Sequence, residues 1–368
     1  MMIKLKKKIV WLAHEANISG ANIAMLEYID HLSDLFDFVV ILPHTGNMQD
    51  ALQTRYVACK IVHQYGWANT YSWWEIKKWT RVAFRTAVAI LQTTKIIKQE
   101  KAALVFTNTL VPFTASVSAR MLGKAHVWWI HEFGEEDFGI QTGWGNKKWS
   151  LKWMQTASQL IIVNSHSVAR KFQRLMPEAN IQTIYQPVSW KKHNSTELAK
   201  QAQFLMFGQI APSKGHIEVL QALVYNRQLG KQVATLHIKG PNEIKPYLAE
   251  LRLFVQKHQL EDKVKIVAGF FNKEETMPQY DALIVASKAE AFGRVIVEAN
   301  KAGLHVVVKN NGGSPELVND TNGLLYKHIH ELAAILAGET VFPTGSLNLA
   351  YKEEEEIGRL KKMLSKII

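Results

Sequence analysis

The sequence predicts an α/β protein built from two parallel-sheet domains, and three observations carry that expectation. At 368 residues the chain exceeds the usual size of one domain. Short apolar runs, of the kind that fill buried parallel strands, alternate with amphipathic stretches of helical period. The alternation stops near Val188, passes through a polar, Lys-rich stretch, and resumes at Phe204. The expected divisions are a first domain over 1–188, a linker over 189–203, a second domain over 204–345 and an amphipathic helix over 346–368.

Composition narrows the class. An apolar share of 47% and a charged share of 21% are ordinary for a soluble globular protein. No run approaches the roughly 20 apolar residues that a membrane span requires. The amino-terminal stretch Met1–Ala13 is basic and then briefly apolar, too short for a signal peptide, and reads as the first strand. A single cysteine, Cys59, excludes an internal disulfide and a Cys-rich metal site and fits a reducing compartment, so a cytoplasmic location is expected. The net charge is +12. Residues 1–187 hold 21 Lys/Arg against 13 Asp/Glu, an excess of 8, and the remainder 23 against 19, an excess of 4. Nucleic acid, anionic lipid headgroups and phosphorylated substrates would all answer such a surplus, as would a simple need for solubility.

In the first half, Lys8–Ala13, Phe38–Leu42, Ala103–Thr107, His126–Ile130 and Gln159–Asn164 read as strands. The turn Ser19-Gly20-Ala21 opens a helix that runs to about Leu32, and its glycine allows close approach of an anionic ligand to the helix start. Val111–Leu122 reads as a helix, and Ser165 caps another. His131 and Glu132 end the fourth strand, where a histidine can donate a hydrogen bond or carry a proton at neutral pH. Two clusters mix aromatic and basic residues. Trp67, Tyr71, Trp73, Trp74 and Trp79 alternate with Lys77, Lys78, Arg81 and Arg85; Trp144, Trp149 and Trp153 accompany Lys147, Lys148 and Lys152. Such mixtures suit an anionic membrane surface or a lipid-linked substrate. Core packing of the rings is the alternative, and base stacking ranks last.

In the second half, Phe204–Phe207 leads into Gly208-Gln209 and on to Lys214-Gly215, a plausible anion-binding turn that lacks the Walker A pattern. Strands follow at Thr235–Lys239, Val264–Val267 and Val306–Val308, with a helix over Pro246–His258. The densest stretch is Tyr280–Gly303. Ala282–Ala286 is a buried strand, Ser287–Gly293 a small polar loop, and Arg294–Ala302 a helix closed by Gly303. Glu290 and Glu298 bracket the turn. Glu290 stands just before a helix N-terminus, whose N–H groups and positive dipole end suit a phosphate. Two glutamates near a helix start are also common on solvated surfaces, so the spacing alone leaves both readings open. Asn310–Glu316 forms a glycine loop with a proline that would open a further helix, and Asn322-Gly323 reads as a tight turn.

Taken together, these features resemble the retaining glycosyltransferases of family 4, which have the GT-B architecture: two facing Rossmann-like domains with parallel sheets and an interdomain cleft. The resemblance covers nearly the whole chain and is strongest over Phe204–Leu325. Its most specific part is Ser287-x-x-Glu290-x-Phe292-Gly293-x-Val295-x-x-Glu298, the family's Glu-x7-Glu signature, followed by Gly312-Gly313-x-Pro315-Glu316 and Asn322–Leu325.

The resemblance implies roles residue by residue. Glu298 would bind the ribose hydroxyls of a UDP- or GDP-linked sugar, and Glu290 would hold the sugar and stabilise its oxocarbenium-like transition state. Lys214 would neutralise the departing diphosphate. Phe292, Gly293, Arg294 and Val295 would line the helix start, with Gly312 and Gly313 beside it. Ser19, Gly20 and Ala21 would close on the phosphates, and His131 would face the donor sugar. No Asp-x-Asp motif is present, so metal-independent chemistry and no cofactor are expected. The expected function is transfer of a sugar to a glycan or lipid-linked acceptor in polysaccharide or glycolipid assembly, by a protein peripheral on the inner face of the membrane and with no nucleic-acid partner. Gln209 departs from the family, which usually has an Arg there to pair with the lysine on the diphosphate. That departure supports an alternative, a catalytically weakened partner subunit of another transferase. His305, where the family commonly has Pro, is a minor departure.

Overall fold

A computed structural model of the chain describes residues 6–68, 76–190, 203–242 and 244–368. The chain divides into two compact units, Met1–Pro187 with Glu353–Ile368, and Val188–Lys352.

The first unit is a parallel sheet of β1 (Lys7–Leu12), β2 (Phe36–Leu42), β3 (Ala58–Ile61), β4 (Leu104–Asn108), β5 (Ala125–Ile130), β6 (Leu160–Val163) and β7 (Ile181–Thr183), in the order β3-β2-β1-β4-β5-β6-β7. Its helices are α1 (Gly20–Leu32), α2 (Met48–Gln53), α3 (Ile76–Gln99), α4 (Thr114–Met121), α5 (Glu135–Phe138), α6 (Lys147–Ala157) and α7 (His166–Leu175). Because side chains alternate across a strand, β1 feeds two cores. Ile9 and Trp11 join Phe106, Trp129 and Tyr28 on one face, while Val10 and Leu12 join Val39, Ile41 and Val105 on the other. On the first face Trp11 lies 4.7 Å from Phe106 and 5.5 Å from Trp129, centroid to centroid. The continuous apolar runs of β4 and β5 follow from burial on both faces.

The second unit repeats the plan with β8 (Gln203–Phe207), β9 (Thr235–Gly240), β10 (Val264–Ala268), β11 (Ala282–Val285), β12 (His305–Lys309) and β13 (Gly323–Tyr326), all parallel, in the order β10-β9-β8-β11-β12-β13. Helices α8 (His216–Gln228), α9 (Lys245–Lys257), α10 (Lys273–Thr276), α11 (Arg294–Lys301) and α12 (Ile329–Leu336) connect and cover the strands. Strand order reverses between β8 and β11, so the loops after these two neighbours leave the sheet at its topological switch point, where open α/β sheets bind ligands.

The amphipathic helix expected over 346–368 is present as α13 (Glu353–Ile367) and packs on the first unit. Ile357, Leu360 and Leu364, spaced as one helical stripe, are buried in the core of the first unit. Glu356 Oε2 accepts from the Tyr185 N–H at 3.0 Å, and Lys361 pairs with Asp34 at 2.8 Å. The apolar stripe is plain in the sequence, but which core it completes depends on the chain returning to the first sheet.

Other departures are local. The segment containing the first aromatic-basic cluster is largely a 24-residue helix, α3, whose Val82, Thr86, Ala89, Thr93 and Ile97 are buried at helical spacing. Trp67 is core: it stacks between Phe113 and Trp128, and its indole N–H donates to the Leu110 carbonyl at 2.6 Å. Tyr71, Trp73, Trp74 and the side chains of Lys77 and Lys78 lie outside the described residues, as does the linker stretch over 191–202. The helix expected after Pro315 is a single 3-10 turn, Ser314–Leu317. Asn319 Oδ1 accepts from the Thr321 N–H and Asn322 Oδ1 from the Asn319 N–H, at 2.9 Å each, and these side-chain bonds divert the backbone into turns. The short strands β3, β7 and β13 were not legible from hydropathy; β3, for one, is only partly buried.

Candidate active site

In the second unit, the loops after β8, β11 and β12 converge on Glu290. After β8 the chain makes a 3-10 turn, Pro212–Lys214, and Gly215 follows at φ +74°. A Cβ on Gly215 would stand 2.0 Å from the Ala286 carbonyl oxygen, so only glycine lets this turn rest against β11. The Lys288 N–H donates to the Ser213 carbonyl at 2.8 Å and ties the two loops together. Lys214 Nζ donates to Glu290 Oε2 at 2.8 Å, and Ser287 Oγ donates to the same oxygen at 2.9 Å. From the β12 side, the Gly313 N–H donates to the Glu290 carbonyl at 2.7 Å. Gly312, at φ +62°, presses so close that a Cβ would lie 2.5 Å from that carbonyl oxygen.

Past Glu290 the chain enters α11. Phe292 is buried, Gly293 stands at φ +95° as the N-cap, and Arg294 and Val295 open the helix with no acidic residue in the first turn. The positive end of α11 thus lies beside a lysine and a carboxylate. One turn on, Glu298 is buried, with its side chain 5% exposed. Both its oxygens accept from Lys273 Nζ, at 2.8 and 2.7 Å. Gln209 follows Gly208, whose N–H bonds the Lys239 carbonyl at 3.0 Å, and it supplies no charge. His305 is buried with Nε2 on the Pro343 carbonyl at 2.9 Å, and burial lowers its pKa; it serves packing.

In the first unit, His131 follows β5. Its Nδ1 lies 2.7 Å from the Gln186 side-chain nitrogen, which can only donate, so Nδ1 accepts and Nε2–H donates to Asn108 Oδ1 at 2.8 Å. The ring stacks on Trp129 at 6.0 Å and 6°. These partners hold the imidazole in one tautomer and one orientation. The Asn108 amide nitrogen lies 3.5 Å from the Ala21 carbonyl, a long contact that joins His131 to the first turn of α1. Ser19 is the N-cap of α1, without a side-chain cap bond, and Gly20 opens the helix. Asn22 steadies the preceding turn through the carbonyls of Glu15 and Asn17, at 3.2 and 2.7 Å. Glu132 is a buried brace: it accepts from the Leu110 N–H at 2.5 Å and the His131 N–H at 2.9 Å. Burial outweighs these bonds and pushes its pKa up to about 7.

The second aromatic-basic cluster forms a surface. Trp79 of α3 meets Trp144 edge-on at 6.2 Å, and Trp144 stacks on the exposed Trp149 of α6 at 6.4 Å. Along α3, Arg81, Phe84, Arg85, Leu91 and Lys95 share the outward face, with Phe84 70% and Leu91 63% exposed. No helix among the described residues is long and apolar enough to cross a membrane.

Sequence reasoning missed Lys273, Gln186 and Asn108. None lies in a motif, and each reaches its partner across 25, 55 and 23 residues respectively. Such pairings carry no local signal.

Known proteins resemble the chain over both of its halves. Residues 18–190 match the model for Glycosyltransferase Family 4, and residues 188–336 the model for Glycosyl transferases group 1. An uncharacterised glycosyltransferase of Methanocaldococcus jannaschii is 28% identical over 167 residues, which are 40% of this chain and 41% of that relative. Among solved structures, Anabaena HepE in complex with UDP and glucose superposes with a TM-score of 0.73 at 19% identity, over 98% of this chain and 100% of that one; its complex with UDP-glucose gives the same TM-score. The lipopolysaccharide outer core galactosyltransferase WaaB matches with a TM-score of 0.66 at 15% identity, over 96% and 95% of the two chains. At these identities the likeness speaks for the fold. With both halves matched by glycosyltransferase models and both sheets in the same doubly wound order, the chain is a glycosyltransferase of the GT-B type.

Proposed function

We propose that the protein transfers a sugar, with retention at the anomeric carbon, from a nucleotide-sugar donor to a hydroxyl of a glycan or lipid-linked acceptor. The observation that carries this is the group at the start of α11: a lysine, a helix whose first turn has no acidic residue, and two carboxylates. Lys214 and the α11 N–H groups take the diphosphate, Glu290 Oε1 takes sugar hydroxyls, and Glu298 takes the ribose. As the bond from the anomeric carbon to the β-phosphate oxygen breaks, its electron pair stays on the phosphate, and Lys214 stabilises the charge that develops there. The acceptor hydroxyl attacks the same face and its proton passes to that phosphate oxygen. Glu290 supports the positive charge on the ring. No step requires a metal. UDP is the first nucleotide to test, since HepE was solved with it.

The basic, aromatic face of α3 and α6 suits an anionic membrane surface, which would bring a lipid-linked acceptor to a protein on the inner face of the membrane. Vesicles containing phosphatidylglycerol should pull the protein down at low salt and release it at high salt. Equal retention on neutral vesicles, or tight binding to single-stranded DNA, would refute that assignment.

A panel of UDP-, GDP- and ADP-linked sugars, read as thermal stabilisation and then as turnover, tests the central proposal. Gln209 supports a second reading, that of a partner subunit which binds but does not turn over: stabilisation by a nucleotide sugar with no transfer to any glycan would select it, and no stabilisation by any nucleotide would overturn both.

A further inference from the structure

We infer that the open face of β9 and β10 in the second unit is a phosphate-binding site, built from His237, Lys239 and Lys265 and suited to a phosphate monoester on a soluble ligand. The site stands apart from the donor assignments: it uses neither Glu290 nor Glu298, and β8 separates β9 from β11 in the sheet. Side chains alternate across a strand. Leu236 and Ile238 of β9 enter the core of the second unit with Leu220 and Leu251. On the opposite face His237 and Lys239 are only half-buried, and Lys265 of β10 is exposed. The register sets Lys265 directly beside His237. On its other flank His237 neighbours Leu205 of β8, which brings no charge.

Two aromatic rings hold the basic groups in place. Lys239 Nζ lies 5.4 Å from the ring centres of both Phe271 and Tyr280, and the Tyr280 hydroxyl is 2.7 Å from His237 Nδ1. Ring faces attract an ammonium without neutralising it. Among the described residues none of the three basic side chains has a carboxylate partner, and His237 Nε2 has no hydrogen-bond partner. Burial lowers the His237 pKa, and Lys265 and Lys239 lower it further, so the three groups sense one another's charge. A lysine on an edge strand also guards against strand pairing. That accounts for Lys265 but not for His237 and Lys239, which the Tyr280 ring brings together on an inner strand. Like charges gathered without an acid are relieved by an anion. With His237 and Lys239 half-buried and Lys265 exposed, that anion must project onto the sheet face. A phosphate on a soluble ligand does so; a headgroup in a flat bilayer does not.

The test titrates the full chain with inorganic phosphate and follows the His237 imidazole by NMR, its signal assigned with H237Q. Bound phosphate should raise the His237 pKa, because it offsets the two lysines. The affinity read at His237 should weaken by about tenfold in K265M and again in K239M, the weight of one charge-assisted hydrogen bond each. Lys265 is exposed, so K265M probes the site without disturbing the core. K214M, altered in the proposed donor site, should keep the full His237 response. Vesicles containing phosphatidic acid should leave His237 unchanged. A His237 that ignores inorganic phosphate, an unchanged affinity in folded K265M and K239M, a response lost in K214M, or a response to the vesicles would each overturn the inference.

Discussion

Replacing Glu290 with Gln isolates charge from shape. The amide keeps the size of the carboxylate and can still accept from Lys214 Nζ and Ser287 Oγ, which now stand 2.8 and 2.9 Å from Oε2. What disappears is one negative charge beside the anomeric carbon. Removing one preorganised electrostatic partner of a transition state typically costs 2.7–4 kcal/mol, or about 100- to 1,000-fold in kcat. The folded state should hardly notice. Lys214 and Glu290 are 36% and 21% exposed, and ion pairs this open to solvent are worth about 1 kcal/mol or less. Such a loss lowers Tm by about 2–4 °C in a domain of this size. The assay is transfer with the donor selected by the panel, with UDP affinity measured alongside. A kcat within about threefold of wild type, at unchanged UDP affinity, would refute the role of Glu290 as a charge stabiliser.

Four further perturbations test the frame of the two units. Gly312→Ala puts a methyl group 2.5 Å from the Glu290 carbonyl at positive φ; it should cost about 1–3 kcal/mol by urea unfolding and depress turnover. Gly123→Ala, at φ +59° with open space around it, should cost only about 1 kcal/mol and leave activity intact. Glu132 should make the first unit pH-sensitive. Its folded pKa of about 7 lies above its ordinary 4.5, so the folded state binds more protons between these values and stability falls as pH rises through that window, by about 1.4 kcal/mol per unit. Glu132→Gln should flatten the urea midpoint between pH 5 and 7, and an unchanged slope would contradict the burial argument. Leu360→Ala, at a fully buried position of α13, should cost about 2–5 kcal/mol, read as faster amide exchange in 6–187 with little change in 204–345.

The alternation of apolar runs with helical periods was enough to read two parallel-sheet units from the sequence, because each local pattern is a direct imprint of burial on one or both faces of an element. The loop at Ser287–Gly293 was legible for the same reason: a glycine that must accept positive φ, a helix start and two glutamates at fixed spacing are all contained in one continuous stretch. Trp67 shows where such reading fails, since an indole looks the same in sequence whether it is stacked in a core or open to solvent, and its three-ring stack depends on residues brought in from two other segments. The stripe on α13 was equally visible, yet its partner is a sheet that begins more than three hundred residues earlier. Lys273 is the sharpest case. Glu298 stands in one continuous stretch with Glu290, but the ammonium that bridges both its oxygens follows β10, and only the pairing of β10 with β9, and of β9 with β8, sets the distance between them.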